Sequence, residues 1–260
     1  AGRVTYTAAA GIPELRDAVA AFYGRQFGHP LTRDEVVVTC GAKHALYLAL
    51  QVLCNEGDEV AYANPYWVSY PEMAHLAGAV PVEVPTRSED GFRVDPEVLR
   101  SVLTDKTRVL IVNSPSNPSG AVLDRANLEA IVEIAAQSGV WVVSDEIYDQ
   151  LYYGESRPTG LMDLGPAAVQ RGLVINGVSK TYGMTGWRIG YAMGPSQVIK
   201  LMTRVQSHET SNANTLAQRA ALAALTMDQA VVAERRAEFD SRRRRMVELV
   251  RQVPGWDCPD

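Results

Sequence analysis

Leu173-Val174-Ile175-Asn176-Gly177-Val178-Ser179-Lys180, followed by Thr181-Tyr182-Gly183-Met184-Thr185-Gly186-Trp187-Arg188-Ile189-Gly190-Tyr191, is the stretch around which the chain is organised. Leu173 to Ile175 reads as a buried strand that ends in a turn of small residues. Lys180 stands just past that turn, and Arg188 follows at the start of a second apolar run. A lysine held at a strand end inside a pocket can lose its charge through burial and neighbouring cations. A free amine can form a Schiff base with an aldehyde. An arginine offers a planar fork suited to a phosphate. Aldehyde and phosphate on one small molecule describe pyridoxal 5'-phosphate. A bare Ser-Lys pair would fit a surface loop equally well, so the length of the string carries the reading.

Outward from this stretch, short apolar runs alternate with amphipathic segments. Strands are predicted over 35–39, 58–63, 80–84, 108–112, 140–144, 173–175 and from Arg188 to about residue 193. A helix opens at Pro13 with Leu15, Ala18, Val19 and Phe22 on one face, and another follows Cys40-Gly41-Ala42-Lys43 with Leu46, Ala49, Leu50 and Leu53 on its apolar side. Further helices are expected at 96–103 behind an Asp95 cap, and at 125–138, 195–207 and 215–225. A long charged helix is expected over 228–253, where Arg242 to Arg245 point all round and read as a solvated face. The alternation predicts an α/β fold, a three-layer α/β/α sandwich with a mainly parallel sheet, whose ligand sits at the strand ends.

Composition narrows the function. The 260 residues carry a formal net charge of −5, which gives no basic field for nucleic acid or an anionic membrane. No run of about 18 apolar residues predicts a membrane span. Cys40, Cys54 and Cys258 have neither metal-ligand nor disulfide-framework spacing, so no metal is expected and a reducing cytoplasm is the simplest home.

Several strand ends carry chemistry. The glycine turn Gly41-Ala42-Lys43 leaves free N–H groups at a helix start, which favours phosphate. Trp67 offers a flat face to a ring. Asp145, after a strand of valines, would keep a pyridine nitrogen protonated.

The string S-K-x-x-x-M-T-G-W-R-x-G-Y at Ser179 to Tyr191 resembles the lysine motif of the fold-type I, class I aminotransferases. Tyr66-Trp67-Val68-Ser69-Tyr70-Pro71-Glu72-Met73 is similar to their bacterial aspartate aminotransferase subgroup. The resemblance implies an aminotransferase that moves an amino group between an acidic amino acid and a 2-oxo acid, with pyridoxal 5'-phosphate on Lys180. It implies that Gly41, Ala42, Lys43, Ser179 and Arg188 surround the phosphate, and that Trp67 stacks on the ring. Asp145 serves the ring nitrogen, and Asn117 and Tyr148 the ring oxygen. Trp67, Asn117 and the Lys43 side chain face the substrate, and Tyr6 reaches the cofactor phosphate of a neighbouring subunit in a homodimer. It further implies an N-terminal segment over 1–29, a cofactor-binding large domain over 30–227, and an interdomain helix over 228–260 leading to a small domain beyond this piece. One strand, beginning near Arg188, is expected to run antiparallel. The sequence departs from the family at Gly177, where a phosphate-binding serine is frequent. Other reactions on the same scaffold (lyase, oxidase or decarboxylase) and a non-enzymatic sensor domain stay open at this point.

Overall fold

A computed structural model of the chain describes residues 4–256 and 258. Its strands are β1 (Val36–Thr39), β2 (Glu59–Asn64), β3 (Val80–Pro85), β4 (Thr107–Asn113), β5 (Trp141–Asp145), β6 (Gly172–Gly177) and β7 (Gly190–Met193). Its helices are α1 (Pro13–Phe27), α2 (Ala42–Leu53), α3 (Ser69–Leu76), α4 (Pro96–Val102), α5 (Arg125–Gln137), the short α6 (Pro166–Val169), α7 (Ser196–Glu209), α8 (Thr215–Thr226) and α9 (Ala230–Val250). The strands form one sheet in the order β1-β7-β6-β5-β4-β2-β3.

Both faces of the sheet are covered, which is why its strands read as continuous apolar runs rather than alternating ones. Successive side chains still point to opposite faces. Leu110, Val112, Val142 and Val174 pack with α1, α5 and α8 on one side. Val109, Ile111, Val143, Leu173 and Ile175 pack with α2, α3 and α7 on the other. This is the expected three-layer sandwich.

Strand β7 is antiparallel to both β1 and β6, while the other neighbours pair in parallel. The reversal has a direct consequence. Gly190, the first residue of β7, lies beside Thr39 and Gly177, the last residues of β1 and β6. The segment entering β7 therefore arrives at the same sheet edge that the parallel strands leave.

Two details differ from the sequence reading. Arg188 is not in the strand: its backbone is left-handed, with φ 54°, two residues before β7 begins. The inner face of α1 is Leu15, Val19, Ala20 and Tyr23, with Ala18 and Phe22 only half-buried. The helix is turned because the Tyr23 hydroxyl meets that of Tyr191 at 3.1 Å inside the sheet's core. On α9 the arginine row is exposed or half-exposed and pairs with Glu238, Asp240 and Glu248 along the helix. Such surface pairs contribute about 0.2–1 kcal/mol each, which suits a solvated face.

Gly190 is held by a backbone contact. A Cβ there would collide with Ala42 N and Gly41 C in the turn after β1. Gly190→Ala should lower unfolding stability by about 1–3 kcal/mol, the usual cost of overpacking. A urea melt of the two proteins checks this, expecting a lower midpoint at an unchanged slope.

Candidate active site

The strand ends at this shared edge enclose a cleft of about 330 Å³. Its lining includes Ala42 and Lys43 after β1, Trp67 after β2, Asn117 after β4, Asp145 at the end of β5, Tyr148 just beyond, Ser179 and Lys180 after β6, and Arg188 before β7. Of the residues singled out in the sequence, the fold brings these nine together, and Gly41 lies behind them as the N-cap of α2. Tyr6 does not join them; it is 88% exposed and outside the cleft lining.

At the phosphate end, Gly41 has φ 94°, and a Cβ there would come within 3.0 Å of the Arg188 guanidinium carbon. Only glycine lets the turn and the arginine lie this close. The Arg188 Nη1 donates to the Thr185 carbonyl at 2.9 Å, which points the fork toward the N-terminus of α2. A guanidinium next to free helix N–H groups is an anion site. Gly177 is also explained: a Cβ at this position would lie 2.9 Å from Gly190 Cα and 2.9 Å from Ile189 O. A serine cannot be added there without moving β7.

At the opposite end, Asp145 is buried, with 3% exposure. Burial pushes its carboxyl up to about 6, although hydrogen bonds from Tyr70 and the Ile147 N–H and the charge of Lys180 act in the opposite direction. The Tyr70 hydroxyl donates to Asp145 Oδ2 at 2.9 Å, and Ile147 N–H donates to Oδ1 at 3.3 Å. Asn113 braces the same corner. Its Nδ2 donates to the Asp145 carbonyl at 2.9 Å, and its Oδ1 accepts from the Asn117 N–H at 2.8 Å. Tyr70 and Asn113 escaped the sequence reading. The only local signals were a tyrosine one helical turn past Trp67 and an asparagine at a strand end.

Between the two ends, Lys180 Nζ lies 5.5 Å from the centre of the Tyr148 ring. Lys43 Nζ lies over the Trp67 ring at 4.8 Å, and Tyr70 meets Trp67 edge-on. Glu146, beside Asp145 in sequence, faces away: it accepts from Ser144 Oγ and Leu161 N–H, each at 2.8 Å. Among the described residues no group of three or more His, Cys, Asp or Glu could hold a metal ion, and no helix is long and apolar enough to cross a membrane.

Residues 2–260 match the model of the family described as aminotransferase class I and II. The chain belongs to that family. It is 44% identical to the aspartate aminotransferase of Geobacillus stearothermophilus over 99% of its own length and 65% of that protein. It is likewise 44% identical to the aspartate/prephenate aminotransferase of Cereibacter sphaeroides, over 100% and 65%. The solved aspartate aminotransferase of Rhizobium meliloti superposes with a TM-score of 0.96 at 38% identity, covering 99% of this chain and 65% of that one. The chain thus spans about 65% of the length of these relatives. Members of the family use pyridoxal 5'-phosphate, and the cleft fits it. A buried carboxyl suits a pyridinium nitrogen, and the gap between Gly41 and Arg188 suits a phosphate.

Asp145 also yields a stability signature. Its folded value is raised from 3.8 to about 6, so the native state binds more protons than the unfolded state between those limits. Stability therefore falls as pH rises through about 4 to 6 and stays reduced above. Asp145→Asn should make the cofactor-free protein about 1–3 kcal/mol more stable at about pH 7.5, with the gap closing toward about pH 4. Urea unfolding at both pH values checks the sign. In parallel, Tyr70→Phe should move the NMR titration midpoint of the Asp145 carboxyl upward, because a donor to the charged form is lost.

Proposed function

We propose that this chain is the cofactor-binding part of an enzyme that transfers an amino group between an amino acid and a 2-oxo acid. The reading rests on the cleft, where the Lys180 amine, the buried Asp145 carboxyl and Arg188 beside a helix N-terminus share a single sheet edge. Bound pyridoxal 5'-phosphate would supply an aldehyde and an electron-withdrawing ring. Lys180 Nζ would hold the group, and the same amine, once free, would serve as the base that moves the proton of the substrate α-carbon. Asp145 keeps the ring nitrogen protonated, because an opposite charge favours the charged form. Arg188 and the α2 N–H groups bind the phosphate, with Ser179 alongside. Trp67 covers the ring, and Asn117 and Tyr148 supply polar groups at its edge.

The substrate in this reading is acidic: aspartate, glutamate or a prephenate-like acid. Lys43 supports it, since its ammonium lines the cleft beside Trp67. So does a Thermus thermophilus relative, 43% identical, whose structure was solved with maleate, a dicarboxylate. The proposed working unit is a cytoplasmic homodimer with shared sites, to which the exposed Tyr6 is available. Residues 30–227 would be the large domain, preceded by the segment 1–29. Residues 228–260 would lead to a small domain, consistent with α9 having Val232 as its buried residue.

Borohydride treatment of the cofactor-loaded enzyme should abolish its visible absorbance and add the cofactor's mass to the peptide holding Lys180. Mass on another lysine would reject the assignment. For substrate choice, kcat/KM for aspartate and for alanine is compared in wild type and Lys43→Met. A water-shielded charged hydrogen bond is worth about 1.5–3 kcal/mol. The substitution should thus cost aspartate roughly ten- to a hundredfold and leave alanine within about twofold. Equal losses for both would show that Lys43 does not read the second carboxylate.

A further inference from the structure

β1 is the end strand of the sheet, with β7 on its inner side. Backbone groups on an outer edge need partners from elsewhere. Val36 O accepts from Arg16 Nε at 2.9 Å, and Val38 N–H donates to Ala10 O at 2.9 Å. Val38 O accepts from Gln206 Nε2 at 2.8 Å, and Cys40 N–H donates to His44 Nδ1 at 3.3 Å. The far side of the His44 ring is held as well, its Nε2 standing 3.1 Å from Glu209 Oε2. Glu209 is the acceptor there, so Nε2 carries the proton and Nδ1 keeps its lone pair for Cys40 N–H. Gln206 and Glu209 lie one turn apart at the end of α7. Two outward backbone groups just before the glycine turn, Val38 O and Cys40 N–H, are therefore tied to α7, one directly and one through His44.

Gln206 is fully buried. Its Nε2 also donates to Ala9 O at 2.5 Å, while its Oε1 has no partner among the described residues. Both neighbours of Nε2 are carbonyl oxygens, which fixes the orientation of the amide. A buried amide oxygen without a partner is unfavourable. An apolar side chain of similar length would remove that oxygen, and it would also leave both carbonyls without this donor. The contribution of the amide is thus the pair of bonds that joins α7, β1 and the segment before α1. On the other side of the turn, Gly190 meets Gly41 and Ala42 with no room for a Cβ. The turn that opens α2 is gripped from both sides.

We propose, on the reading of the cleft as a pyridoxal 5'-phosphate site, that Gln206 and the His44–Glu209 pair are positioning residues for the cofactor's phosphate. None of the three lines the cleft. They hold the end of β1, and with it the Gly41-Ala42-Lys43 turn, so that the α2 N–H groups keep one place. Hydrogen bonds weaken steeply as their geometry departs from linear, so a turn loosened from α7 binds phosphate less well. Lys180, Asp145 and Trp67 stand at the ends of β6, β5 and β2 and do not depend on this edge.

The cofactor-free protein is titrated with pyridoxal 5'-phosphate and, separately, with pyridoxal, following the absorbance of the bound aldehyde. The two ligands differ only in the phosphate, so the ratio of their Kd values isolates its share, whereas a general loss of structure weakens both. In Gln206→Met and in His44→Leu the preference for the phosphorylated ligand should fall roughly three- to tenfold, the loss of one or two hydrogen bonds. His44→Asn, which returns an acceptor near the Nδ1 position, should keep the preference within about twofold of wild type. Glu209→Ala, which acts only through His44, should lower it by less than His44→Leu. If Gln206→Met folds poorly, His44→Leu and Glu209→Ala, whose side chains are not fully buried, carry the same test. A wild-type protein that binds the two ligands equally would reject the cofactor reading and this assignment together. A clear wild-type preference that is unchanged in the variants, or a loss shared equally by both ligands, would overturn the assignment alone.

Discussion

The close approach of Gly190 to the Gly41–Ala42 turn is the constraint on which the cleft depends. Two backbones meet there with no room for a Cβ. Because β7 runs against its neighbours, this contact pins the end of the Lys180–Arg188 segment to the start of α2. The loop after β6 and the turn after β1 thereby face each other across one gap. A cation is set beside the free N–H groups of a helix without any long side chain having to reach across the sheet. The same crowding excludes a side chain at Gly177, so the departure from the family's frequent serine is a consequence of how tightly β6 and β7 are joined.

The other end of the cleft is governed by an opposite principle. Asp145 is withdrawn from water, and among the described residues its carboxyl receives two hydrogen bonds, one from a tyrosine and one from a backbone N–H. Those donors do not offset the loss of hydration, and the carboxyl is left poorly compensated. A protein selected for stability alone would not keep such a group. Such a group at the floor of a cleft suits the cationic ring proposed for it; Tyr70 and the Ile147 N–H hold the carboxylate, while Asn113 fixes the backbone carbonyl of Asp145.

Much of this was legible in the sequence. Strand and helix periods are local, and the chemistry-bearing residues follow apolar runs directly, so Lys180, Asp145, Trp67 and Asn117 could be placed at strand ends without coordinates. What escaped depended on distance along the chain or on backbone detail. Tyr70 acts on a residue 75 positions away, and Asn113 links β4 to β5 across the sheet. Neither pairing leaves a periodic trace. Arg188 read as strand because Ile189 to Met193 is apolar, whereas its positive φ reflects the turn needed to aim the guanidinium. The inner face of α1 was misjudged by one position, because a Tyr23–Tyr191 hydroxyl contact overrides the helix's own pattern.

The backbone of Arg188 has a thermodynamic meaning of its own. A left-handed arginine costs roughly 1–3 kcal/mol, and the bond from Nη1 to Thr185 restricts the side chain further. Fixing a free arginine would otherwise consume up to about 2 kcal/mol of rotamer entropy when a ligand arrives. Here that ordering is completed as the chain folds, so an anion meets a fork already aimed. The cost of this backbone conformation is met during folding.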